Sequence, residues 1–105
     1  MMTQNDQEAE LELARCFFSP NDGIRVDRCR HESVTETVLW IFSKNIRMPQ
    51  IGTVKRLDGG AEYRAKCQHE WEATRMKNGE PVARRCEKTL ESALRWVASY
   101  DAAIR

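Results

Sequence analysis

Two short motifs hold the side chains best suited to chemistry: Cys29-Arg30-His31 and Cys67-Gln68-His69. On a β-strand, residues two apart point to the same side. Each pair can therefore offer two ligands to one ion, and a set of thiolates and imidazoles suits zinc. Structural zinc sites, however, usually separate paired ligands by two to four residues on a turn that makes them converge. Here one residue intervenes in each pair. Cys67 also falls in register with Tyr63 and Trp71, where a free cysteine packs as a small hydrophobe. Zinc held by Cys29, His31, Cys67 and His69 is thus the weaker reading, and no cofactor is expected.

Catalysis finds less support. A cysteine nucleophile needs a nearby base and an orienting group. Cys67 and His69 share a side, but same-side neighbours on a strand are commonplace, and apolar surroundings keep a thiol protonated. The chain has no Gly-rich phosphate loop, no G-x-S-x-G elbow and no H-E-x-x-H. A non-enzymatic protein is expected.

The remaining chemistry is charge. Residues 1–45 carry five Arg or Lys against eight Asp or Glu, net −3, and residues 46–105 carry twelve against eight, net +4. The whole chain has 105 residues and a formal net charge of +1. That balance argues against a strongly basic nucleic-acid binder or an acidic mimic of DNA as a description of the entire chain. Within the second half, Arg56, Arg64, Lys66, Arg84, Arg85 and Lys88 form a candidate partner-binding set. Arg84, Arg85 and Lys88 precede the last helix, whose free amides favour anions. Glu62, Glu70, Glu72, Glu87 and Glu91 are interleaved with them.

The elements that position these residues follow from hydrophobic period. Residues 6–18 predict a helix with Asp6 as its cap, Leu11, Ala14 and Phe18 on one face and Ser19-Pro20 as its stop. Residues 1–5 are expected to be disordered. Asn21-Asp22-Gly23 is a turn, and Ile24 to Cys29 alternates weakly, as a short strand does. Residues 33–44 are ambiguous. Their β-branched content favours strand, but Ser33 and Glu36 have capping-box spacing and Val34, Val38, Ile41 and Phe42 recur at helical intervals. A second helix is the reading adopted.

Beyond it, Ile51 to Leu57 predicts a strand and Asp58-Gly59-Gly60 a tight turn. From Ala61 to Ala73 apolar and polar residues alternate, which predicts one buried and one wet face, with a bend near Gln68 to Glu70. Asn78-Gly79 is the preferred pair for a two-residue hairpin, leading into Pro81 to Cys86. Thr89 caps a final helix whose stripe is Leu90, Ala93, Leu94, Val97 and Ile104, widened by Trp96 and Tyr100.

The expected fold is one α+β domain over 1–105: N-terminal helices, then a three-stranded antiparallel meander packed by a C-terminal helix. The order of three strands and a helix, with basic residues where the helix begins, is superficially similar to double-stranded-RNA-binding domains and small sheet-based DNA readers. The final helix lacks the run of Lys and Ala those RNA binders carry, and the topology serves unrelated modules.

No apolar run approaches the roughly 20 residues that span a bilayer, and the polar start lacks a secretory pattern. A cytoplasmic location with reduced thiols is expected. A protein partner is favoured: Trp40, Trp71 and Trp96 exceed what a small core requires, and Trp and Arg anchor many interfaces. Size and the missing catalytic motifs suit a phage or mobile-element accessory protein, including an inhibitor of host defence. Nucleic acid is the alternative partner, and a homodimer through the first helix is open.

Overall fold

The computed structural model describes residues 3–44, 50–57 and 70–103. Helix α1 (Gln4–Cys16) and a 3-10 turn (Pro20–Asp22) lead into strands β1 (Ile24–Arg28), β2 (Val38–Ser43), β3 (Gln50–Arg56), β4 (Trp71–Lys77) and β5 (Glu80–Glu87), and helix α2 (Leu90–Ala103) follows. The strands form one antiparallel sheet in the order β1-β2-β3-β4-β5. The α+β class is as expected, but the meander has five strands rather than three.

The two further strands come from the first half: β1 falls on the short strand expected over Ile24 to Cys29, and β2 stands where a second helix was expected. Residues 38–43 are not a helix: β2 pairs with β1 over Leu39 to Ser43 and with β3 over Val38 to Phe42. The supposed capping residue Ser33 is otherwise engaged. Its backbone N–H donates to His31 Nδ1 at 3.2 Å and its hydroxyl meets the same nitrogen at 2.7 Å, inside a turn closed by Val34 N–H to His31 O. The helical spacing of Val34, Val38 and Ile41 yields to the alternation of buried Leu39, Ile41 and Ser43 with half-buried Val38, Trp40 and Phe42.

Helix α1 starts earlier than expected, in the stretch expected to be disordered. Thr3 is the cap, and Asp6 sits three residues on and completes a capping box, its carboxylate accepting from Thr3 N–H while Thr3 Oγ1 accepts from Asp6 N–H. Asn78 and Gly79 take positive φ of 55° and 80°, as the hairpin turn requires. Irregularities in pairing fall at Ile41/Phe42 and Arg75/Met76. The bend foreseen near residues 68–70 and the alternation from Ala61 to His69 lie outside the described residues, apart from Glu70. Ile104 lies outside them as well.

Both helices cover the same face of the sheet. Leu11 and Ala14 of α1 and Leu90, Ala93, Leu94 and Val97 of α2 meet Ile24, Val26, Leu39, Ile41, Val54, Trp71 and Ala73 in one core. Each large side chain buried there contributes about 1.5–3 kcal/mol. Arg28, only 3% exposed, joins this layer because its donors find acceptors: Nε gives to Glu8 Oε1 at 2.8 Å, Nη2 to Gln4 Oε1 at 2.8 Å, and Nη1 to Gln7 Oε1 and Cys29 O. That network fastens α1 to β1.

Candidate partner-binding surface

The opposite face of the sheet carries no helix among the described residues. Its composition follows from register, since residues two apart on each strand share a side. One row crosses all five strands: Asp27, Trp40, Thr53, Thr74 and Arg84 are successive cross-strand partners. A second row holds Val38, Lys55, Glu72 and Cys86, and a third joins Arg25, Phe42 and Gln50. The apolar and aromatic side chains of this face therefore run along β2 (Val38, Trp40 and Phe42, all half-buried), between the charges of β1 and the polar and charged side chains of β3 to β5.

Those charges alternate in sign. The Arg25 guanidinium lies over the Phe42 ring at 4.4 Å and reaches Asp27 at 3.9 Å. Glu72 stands between Lys55, its partner across the β3–β4 pair, and Arg84, whose Nε is 3.8 Å away. Burial pushes the Asp27 carboxyl up, but hydrogen bonds from the Arg30 side chain and the Arg28 amide hold it below its ordinary value. It stays an anion at neutral pH, so the surface carries both signs.

The residues nominated from sequence divide among three places. Arg84, with a side chain 63% exposed, belongs to this helix-free face. Arg85 is next in a strand and therefore faces the other way, opposite Ala73, where its Nε forms an ion pair with Glu87 Oε1 at 2.7 Å. Lys88 follows β5 and is exposed. Arg56 is on the helix-covered face: its Nη2 donates to Glu10 Oε2 at 2.7 Å and its guanidinium lies 4.8 Å from the Trp71 ring. That Glu10 hydrogen bond raises the Arg56 pKa despite partial burial. Its charge is used within the fold, in a cluster with Thr37 and Glu10. Arg64 and Lys66 lie outside the described residues. Arg56, Arg84 and Arg85 therefore form no continuous patch.

Sequence reasoning noticed Trp40 but not its companions. The strand pattern of 38–43 would have exposed Phe42 and Val38 beside it, had the helical spacing not been preferred. Trp71 is core, 4% exposed. Trp96 is half-buried, with the Arg75 guanidinium over its ring at 4.0 Å. The three tryptophans thus have three different settings.

Of the proposed zinc ligands, Cys29 is half-buried and His31 is occupied by Ser33, while Cys67 and His69 lie outside the described residues. No group of three or more His, Cys, Asp or Glu among the described residues is arranged to hold a metal ion. Cys16, Cys29 and Cys86 are free thiols. No helix among the described residues is long and apolar enough to cross a membrane. Comparison with protein-family models, with curated proteins and with solved structures finds no match.

Proposed function

We propose that this is a non-enzymatic binding protein that acts stoichiometrically on a protein complex in the cytoplasm, as an accessory or inhibitor protein of the phage or mobile-element type. The observation that supports this reading is the helix-free sheet face, where Trp40 and Phe42 on β2 share a surface with Arg25, Lys55 and Arg84 and with Asp27 and Glu72. Aromatic anchors among charges of both signs suit a protein surface, because opposite charges steer encounter and fix orientation while the desolvated aromatic side chains supply affinity. The phage or mobile-element setting rests on size and the absence of catalytic motifs alone.

The test begins with co-purification from the native host and then compares variants against the partner recovered. Arg84→Glu and Trp40→Thr should each weaken binding by about tenfold or more, whereas Arg85→Glu, on the other face, should leave it unchanged. Melting temperatures of Arg84→Glu and Arg85→Glu should match the parent, which separates lost contact from lost fold. Equal affinity for the parent and both face variants removes this surface from the site.

A nucleic-acid partner is the second reading, favoured by aromatic rings on an open sheet beside three cations, an arrangement on which bases can stack. Salt decides between them. Phosphate contacts make log affinity fall by nearly one unit of slope per phosphate, while a mixed-charge protein interface responds weakly.

A further inference from the structure

Beside this face, at the end of the sheet where β1 begins, lies a cleft of about 250 Å³. Its apolar lining is Phe18, Pro20, Ile24 and Val26, and three cations stand around it: Arg15, Arg25 and Lys44. Each cation comes from a different part of the chain, and the two guanidinium groups have fixed neighbours. Arg15, near the end of α1, donates Nε–H to Val26 O at 3.1 Å. Arg25 lies over Phe42 and so belongs to both the cleft and the helix-free face. The Lys44 backbone is fixed where β2 ends, its N–H donating to Gly23 O at 2.7 Å, and Gly23 makes the approach with a left-handed φ of 69°.

Among the described residues, no carboxylate lines the cleft. The acids nearest its cations stand outside it. Glu12 takes Arg15 Nη1 at 2.9 Å, and Asp27 is 3.9 Å from both Arg15 and Arg25 but bonds Arg30 at 2.8 Å. Lys44 meets no described carboxylate within ion-pair distance. Positive charge above an apolar floor therefore remains without an anion inside the cleft.

We propose that this cleft receives an acidic–apolar segment of the protein partner, with a carboxylate among Arg15, Arg25 and Lys44 and the neighbouring apolar side chain against Phe18, Pro20 and Ile24. The inference rests on the protein-binding reading and adds the chemistry of what is bound. Size supports it, since pockets for drug-sized ligands run about 300–1,000 Å³ and this one holds a side chain or two. A polyanion is disfavoured because the cleft sits in the half of the chain with net charge −3, beside Glu12 and Asp27. A single carboxylate brings one charge to the three cations and meets less of that field.

The test needs no native partner. The full chain, labelled with nitrogen-15, is titrated with acetyl-Asp-Phe-Asp-Leu-amide, with its Asn-Phe-Asn-Leu counterpart and with a short oligothymidylate. The acidic peptide should give saturable amide shifts centred on Phe18, Ile24, Arg25 and Lys44, and the neutral peptide should bind at least about tenfold more weakly. Lys44→Glu, at an exposed position, should abolish the shifts while the rest of the spectrum stays in place. Arg25→Glu should do the same, and Trp40→Thr should not. Equal response to both peptides, or no saturation by the acidic one, overturns the proposal. Tighter binding of the oligonucleotide at the same amides transfers the cleft to nucleic acid. Because Trp40→Thr tests the sheet face against the partner and Lys44→Glu tests the cleft against a peptide, the two readings fail separately.

Discussion

Ser43 is buried on the helix-covered side of β2, and its Oγ has no hydrogen-bond partner among the described residues. A buried hydroxyl in that state carries its desolvation cost with nothing to offset it, about 1–3 kcal/mol. Ser43→Ala should therefore raise stability by about 1 kcal/mol in urea unfolding, and a loss of similar size would show that the hydroxyl is satisfied. Arg56 is the contrasting residue. Its partner Glu10 is 46 positions away, so no local spacing announces the pair, and from sequence Arg56 looks like one more surface cation. Arg84 and Arg85 were open to a better reading. Once Pro81 to Cys86 is taken as a strand, adjacent residues must diverge, and the two cannot serve one surface.

Among elements, those fixed by local chemistry were legible. Asn78-Gly79 makes its turn because both residues tolerate positive φ, and α2 follows its apolar stripe from Leu90 to Val97. Strand β2 was not legible, because its sequence satisfies two periods and only pairing with β1 and β3 decides between them. Strand β3 adds an irregularity that no pattern declares. Ile41 pairs with Gly52 and Phe42 with Gln50, so Ile51 is an extra residue, yet it is only 2% exposed and part of the core. Beside it, Gly52 lets α2 close on the sheet. A Cβ there would stand 2.3 Å from the Thr74 carbonyl oxygen and 2.4 Å from Val97 Cγ1. The first of these is backbone in the neighbouring strand and cannot rotate away. Gly52→Ala should destabilise by about 1–3 kcal/mol or more, read as a lower urea midpoint. A midpoint within error of the parent would mean that α2 is not seated on β3 as described.

At the scale of the molecule, attachment of the acidic helix α1 to the sheet runs through ion pairs, and this sets the response to acid. Glu8 joins Arg28 at 2.8 Å and Arg30 at 3.1 Å, and Arg30 also bonds Asp27 at 2.8 Å. The Arg28 hydrogen bond is the main cause holding the Glu8 carboxyl below its ordinary range, and Asp27 is lowered as well. The folded protein thus binds fewer protons than the unfolded chain while these groups titrate. Stability accordingly rises with pH through that range, is fully present above about pH 5, and is lost as pH falls through the folded-state values. Melting curves between pH 3 and pH 7, a window of about that span, should show an acid arm that flattens in the double variant Glu8→Gln, Asp27→Asn. The same variant should melt lower than the parent at neutral pH, where Arg28, 3% exposed, would face a neutral amide in place of the Glu8 carboxylate. An unchanged acid arm would assign the pH response to other carboxylates. Arg28 would then rely on Gln4, Gln7 and the Cys29 carbonyl to keep its buried charge in place.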